Sequence, residues 1–163
     1  MNRKLRHLGA LALAALAVTF GGCATAPSPA PLADTLGRDP QLSTFNRLVQ
    51  QAGLQQELRG AGPLTVFAPS DAAFQAVPAK TLDALTQDPA QLKAVLNYHI
   101  TASRLAAADL KNGSVKTLQG ASLGTSRTGT LVAVEDALVQ QADITATNGV
   151  AHVIDRVLMP PKK

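Results

Sequence analysis

The sequence predicts an α+β fold, with helices packed around one antiparallel β core. Two observations predict it. From Leu32 to Tyr98 the apolar residues recur at helical spacing, behind clear helix start signals. From Ser114 onward the chain turns to short β-branched runs divided by Gly-containing turns. A third observation sets the number of cores. With 163 residues and no internal repeat, the chain forms one domain. Aromatic content is 3% and Trp is absent, so that core is built mainly from Leu, Val, Ala and Ile.

The first element is a leader. Met1 to His7 is short and basic, and Leu8 to Phe20 is thirteen residues of mostly Leu and Ala. A bilayer span takes about 20 apolar residues, so this run reads as the core of a secretory signal. Gly21-Gly22-Cys23 follows, and Cys23 is the single cysteine, which rules out an internal disulfide. A lone Cys behind two small residues resembles the lipobox of bacterial lipoproteins, although Phe20 stands where Leu is usual. The resemblance implies a signal peptide over 1–22 and a lipid-bearing Cys23. Ala24, rather than Asp, implies the outer membrane in a two-membrane cell. Residues 24–31 alternate Pro with small residues and read as a polyproline tether, about 3.1 Å per residue. Once Arg3, Lys4 and Arg6 leave with the leader, twelve Lys and Arg face eleven Asp and Glu. With no basic run and few aromatics, nucleic-acid binding is not expected.

The helical half begins at Leu32 to Leu36. Asp39-Pro40 is an N-cap followed by a helix-initiating proline, and Leu42, Phe45, Leu48 and Val49 share one face. Gly53 ends that helix, and Leu54 to Leu58 make one more turn. Leu64 to Phe67 reads as a strand covered on both faces, ending near Pro69. Ser70 stands at an N-cap and Asp71 in the first turn, where negative charge is favoured. Phe67 and Phe74 are expected to seed the core. Pro78 starts a helix carrying Leu82 and Leu85. Asp88-Pro89 starts another, with Leu92, Val95 and Leu96 buried, that runs into Tyr98-His99. In the second half, Val115 to Leu118 and Ala121 to Ser126 flank Gln119-Gly120. Leu131 to Val134 follows Thr128-Gly129. Asp143 to Thr147 and Val150 to Ile154 flank Asn148-Gly149, a strong hairpin signal.

Two of these stretches carry a resemblance. Residues 65–74, Thr-Val-Phe-Ala-Pro-Ser-Asp-Ala-Ala-Phe, resemble the first signature of fasciclin (FAS1) domains. Residues 148–158, Asn-Gly-Val-Ala-His-Val-Ile-Asp-Arg-Val-Leu, resemble the second, with Ala151 replacing a bulkier residue. Tyr98-His99 lies between them, as the family's Tyr-His motif does. The match covers about residues 32–160, leaving 161–163 as a tail. It implies a wedge-shaped antiparallel β-sandwich with helices packed around it. It also implies an extracytoplasmic module, associated with adhesion and surface binding. Thr65, Phe67, Pro69, Ser70, Asp71, Phe74, His152 and Asp155 are then motif residues with structural roles. In animal relatives the Tyr-His region and an Asp-Ile pair are linked to integrin recognition. Tyr98, His99, Asp143 and Ile144 are the corresponding candidates here, weighed against a place in the core.

The residue types of a hydrolytic triad are present in Ser70, Asp71, Asp155, His99 and His152. The context is not, because no Gly-x-Ser-x-Gly elbow surrounds Ser70 and a helix cap explains it. Beyond the leader, His99 and His152 without a second ligand pair are too few for a metal site, so no cofactor or metal is expected. His152, inside an apolar strand, reads as a hydrogen-bonded structural residue. The expected function is a non-catalytic, lipid-anchored monomer that binds a protein or glycan at the cell surface or in the envelope. A structural or regulatory envelope protein, a small-ligand carrier and a hydrolase remain as alternatives.

Overall fold

The computed structural model describes residues 29–161. The leader, Cys23 and tether residues 24–28 lie outside them. Ala30, expected in the tether, belongs to the folded unit. Ala30 is buried, and its carbonyl accepts from Thr147 N–H (2.9 Å) and the Thr35 hydroxyl (3.0 Å).

Among the described residues, six α-helices precede most of the sheet: α1 (Leu32–Gly37), α2 (Ser43–Gln51), α3 (Gln55–Arg59), α4 (Asp71–Gln75), α5 (Ala79–Gln87) and α6 (Pro89–Tyr98). Asp39-Pro40 opens a 3-10 turn, Pro40–Leu42, and α2 follows directly. Asp39 accepts from Gln41 N–H, and Asp88 accepts from Ala90 and Gln91 N–H, so both Asp-Pro pairs cap as the sequence predicts. The N-terminus of α2 is capped from another element. Asp71 accepts from Thr44 N–H (2.8 Å) and the Ser43 hydroxyl (2.6 Å), which ties α4 to α2.

The strands are β1 (Leu64–Pro69), β2 (Ile100–Thr101), β3 (Gly113–Lys116), β4 (Ser122–Thr128), β5 (Leu131–Val134), β6 (Ala137–Ala146) and β7 (Gly149–Ile154). They form a mixed sheet in the order β2-β1-β7-β6-β5-β4-β3, and a Thr101–Thr117 bridge nearly closes it. The ladders are antiparallel except one. β1 and β7 run parallel over six pairs, from Leu64–Gly149 to Pro69–Ile154. Every residue of both strands is buried, which is why both read as continuous apolar runs rather than alternating ones.

The sheet divides the interior in two. Leu36, Phe45, Leu48, Leu58, Val66, Phe74, Leu92 and Leu96 fill the space between helices and sheet. Phe67, Tyr98, Leu110, Leu123, Val132, Ile154 and Leu158 fill the β half. Phe67 and Phe74 therefore seed different cores, because the alternation along β1 sends Phe67 to the far side.

Expectation and structure differ at β2, which the sequence did not reveal, and at β6 and its hairpin. β6 begins at Ala137, six residues before the predicted Asp143, with register shifts between Val139 and Gln141 and between Gln141 and Ile144. Those bulges break the alternation that would have revealed the strand. The β6–β7 hairpin pairs Ala146 with Gly149, so its turn is Thr147-Asn148, one residue early. Gly149 is needed for another reason: a Cβ there would lie 2.1 Å from the Leu64 carbonyl oxygen and 2.7 Å from Leu32.

Candidate functional site

The two signatures, more than seventy residues apart, lie side by side. In the parallel ladder Thr65 faces Val150 and Phe67 faces His152. Phe67 stacks on the His152 ring with centroids 5.6 Å apart. Their polar side chains converge on the connection between β2 and β3, residues 102–112. The Thr65 hydroxyl donates to the Ser103 carbonyl (2.5 Å) and accepts from Leu105 N–H (2.9 Å). His152 Nε2–H donates to the Leu105 carbonyl (2.8 Å). The backbone of one residue, Leu105, is thus gripped by one side chain from each signature.

The other ring nitrogen fixes the tautomer. His152 Nδ1 accepts from Asp143 N–H (3.2 Å), so the hydrogen sits on Nε2 and the ring is neutral. Burial pushes its pKa below the ordinary value, while the Leu105 carbonyl and the Asp143 charge pull it back up. Asp143 sits at the β6 bulge with φ 59°, a left-handed backbone that Asp tolerates. Its carboxylate accepts from Ala107 N–H (2.8 Å). Asp143 is exposed and Ile144 half-buried, packed against the helical core. The pair is therefore built into the sheet bulge, and only Asp143 offers a polar group at the surface.

Tyr98 and His99 are buried, so neither side chain forms part of an exposed loop. Tyr98 packs in the β-half core, and its hydroxyl reaches the Ser122 carbonyl (3.4 Å). Burial raises its pKa, reinforced by Glu135. His99 Nδ1–H donates to the Val95 carbonyl (2.8 Å) in the last turn of α6, the negative helix end expected for it. Its Nε2 accepts from Leu158 N–H (3.0 Å), which pins the C-terminal segment to the helix. Burial pushes the His99 pKa down to about 4, against the opposing effect of the Val95 bond.

The remaining motif residues are equally engaged. Ser70 accepts from Ala73 N–H as an N-cap. Burial disfavours the Asp71 carboxylate, yet the Ser43 and Thr44 bonds outweigh it and hold its pKa below the usual range. Pro69 ends β1, and Ser70 N–H donates the last bond of the ladder to the Ile154 carbonyl (3.0 Å). Asp155 accepts from Leu138 N–H (2.7 Å). Asn148, read from the sequence only as a turn residue, is a hub. Its side chain accepts from Leu32 N–H (2.8 Å) and donates to the Leu58 (2.9 Å) and Gly60 (2.8 Å) carbonyls. No sequence signal announced that role, because all three partners are backbone groups of distant residues.

Ser70 and the two histidines thus point to separate backbone partners rather than to one another. Among the described residues no three His, Cys, Asp or Glu side chains cluster as metal ligands. The space left among Phe45, Leu48, Phe74, Leu92, Leu96 and His99 is about 10 Å³, far below the roughly 300 Å³ or more of a small-molecule pocket.

The fasciclin domain model matches residues 40–160. Protein sll1483 of Synechocystis sp. is 40% identical over 121 residues, covering 73% of this chain and 67% of the relative. Cell surface glycolipoprotein MPB83 of Mycobacterium bovis is 35% identical over 136 residues, covering 80% of this chain and 61% of that protein. Transforming growth factor-beta-induced protein ig-h3 of Sus scrofa is 38% identical over 138 residues, and the match spans 20% of it. Among solved structures, a FAS1 domain pair from the insect cell adhesion molecule fasciclin I matches with a TM-score of 0.65 at 19% identity, covering 80% of this chain and 51% of that one. That likeness shows the fold, here a mixed sheet with helices on one side and the two signature strands adjacent. This chain belongs to the fasciclin (FAS1) domain family.

Proposed function

We propose that the protein is a non-catalytic binding module, exported and held on a membrane by a lipid on Cys23, that engages a protein or glycan partner of the cell surface or envelope. The observation that carries the non-catalytic part is the engagement of its reactive side chains. His99 and His152 have both ring nitrogens bonded to backbone groups, and Ser70 caps α4. A general base needs a free nitrogen within reach of a substrate proton. The anchored part is supported by the basic start, the thirteen-residue apolar run and Gly21-Gly22-Cys23. The relative MPB83, a cell surface glycolipoprotein in name, agrees with it. Several acyl chains would hold the domain stably, since each buried CH2 contributes about 0.8 kcal/mol.

The test has three arms. Cys23→Ser protein is fractionated beside the wild type, and both are weighed intact. The proposal expects the wild type in the membrane fraction with lipid mass, and the variant without it. Equal membrane retention with no lipid mass on either would refute the anchor. Cross-linking in intact envelopes then distinguishes a resident envelope protein from a glycan or a foreign surface. Turnover of ester, amide, phosphate or glycoside substrates that disappears in Ser70→Ala protein of unchanged melting would refute the non-catalytic reading.

A further inference from the structure

Residues 102–112 join β2 to β3 as a strap with no strand or α-helix of their own. Backbone groups of such a segment need partners from elsewhere. Five side chains of the sheet supply them, one being Thr125 on β4, whose hydroxyl donates to the Lys111 carbonyl (2.6 Å). Thr65 on β1 and His152 on β7 hold Leu105, Asp143 on β6 holds Ala107 N–H, and Arg127 on β4 donates to the Ala107 carbonyl (3.0 Å). Beneath the strap, Leu105, Ala107 and Leu110 pack on the core that contains Phe67, Leu123 and Val132. The strap therefore closes the β half of the interior.

Asp143 has a double role in this arrangement. Its N–H bonds His152 Nδ1, and its carboxylate bonds the strap at Ala107. Both depend on a neutral ring. A proton on Nδ1 sets one N–H against another and breaks the first bond. It also creates a cationic donor beside the carboxylate, a stronger partner than a neutral amide. We propose that His152 and Asp143 form a proton-operated latch: when the ring gains a proton, the Asp143 carboxylate turns from Ala107 N–H to the imidazolium, and residues 102–112 loosen over the core beneath.

The surroundings set the direction. Asp143 is the ionisable group facing the ring, and its charge favours the proton. β1 presents uncharged Phe67 and Thr65, and the strap presents the Leu105 carbonyl. Arg104, Asp109 and Lys111 of the strap are exposed, as is Arg127. Burial works against the proton and places the change below the ordinary histidine range. The Thr65 bonds do not titrate, so loosening begins at Ala107 while Leu105 stays tethered.

Amide exchange by NMR on the full 15N-labelled chain tests this. As pH falls from about 7 to about 4.5, Ala107 should lose roughly tenfold of its protection relative to its intrinsic rate, while Val66 and Val153 change by less than about twofold. The midpoint should coincide with that of the His152 ring resonances in the same sample. In His152→Gln, which keeps an amide donor for Leu105 but cannot titrate, the Ala107 loss should fall below about twofold. A parallel loss at Ala107, Val66 and Val153 would mean general acid unfolding and overturn the latch. So would a release midpoint apart from that of the ring, or release in His152→Gln matching the wild type. If His152→Gln does not fold, the comparison of midpoints in the wild type decides alone.

Discussion

Acid should destabilise this domain through His99, by an amount that follows from its burial. The ring is 1% exposed, lies beside Phe45, donates to Val95 and accepts from Leu158. Its pKa is about 4 in the folded chain and 6.5 in an unfolded one. The folded value is the lower, so the unfolded state takes up the proton first. The stabilisation is fully present above pH 6.5 and drains away as pH falls through about 4. At 1.36 kcal/mol per pH unit, the full loss is roughly 3 kcal/mol, a large part of a typical 5–15 kcal/mol domain stability. Urea unfolding at several pH values between about 7.5 and 4 measures it, with His99→Asn as the reference. The Asn amide can donate to Val95 but does not titrate. The variant leaves Leu158 N–H without its acceptor, so it should start about 1–3 kcal/mol less stable at neutral pH. Its stability should then fall less steeply, and the two curves should converge in acid. Curves that stay parallel across the range would show that His99 does not change protonation on unfolding, and the reasoning from burial would fail.

Substitutions at two positions probe the start of the second signature. Asn148→Ala removes the hydrogen bonds to Leu32, Leu58 and Gly60, and should cost about 3 kcal/mol in a denaturant melt. Asn148→Asp should recover little of it, because it keeps the acceptor for Leu32 but sets a carboxylate against two carbonyls. Gly149→Ala brings a methyl group to 2.1 Å from the Leu64 carbonyl oxygen, which is backbone and has no rotamer to escape into. A loss of about 3 kcal/mol or more is expected, read as a lower melting temperature or as insoluble protein.

The helical half was legible because its signals are local. Asp39, Ser70 and Asp88 each cap the turn that follows, within three residues. Leu42, Phe45, Leu48 and Val49 show their common face through spacing alone. The β half was legible only where strands alternate or run apolar, as β5 and β7 do. β6 was half missed because bulges at Val139–Gln141 and Gln141–Ile144 disturb its period, and β2 because two residues carry no period at all. The parallel pairing of β1 with β7 was not anticipated either. Both strands looked doubly buried, but nothing local states which neighbour covers them. Among the candidate site residues, the choice between surface and core at Tyr98 and His99 turned on tertiary contacts with Ser122 and Leu158, far along the chain.

Those contacts bear on where a partner can bind. A side chain already holding a buried backbone group cannot also hold a partner without leaving that group unpaired, which typically costs about 1–3 kcal/mol. Thr65, His99, Asn148 and His152 are all in that position, each bonded to the backbone of a distant segment. Ser70 and Asp155 hold backbone N–H groups in the same way, and Asp71 holds the start of α2. The motif residues are thus the joints at which helices, strap and C-terminal segment meet the sheet. On the proposed binding role, recognition would fall to exposed side chains outside the signatures, which can change without loosening those joints. The same architecture is then compatible with different partners, and motif content identifies the scaffold without identifying what it binds.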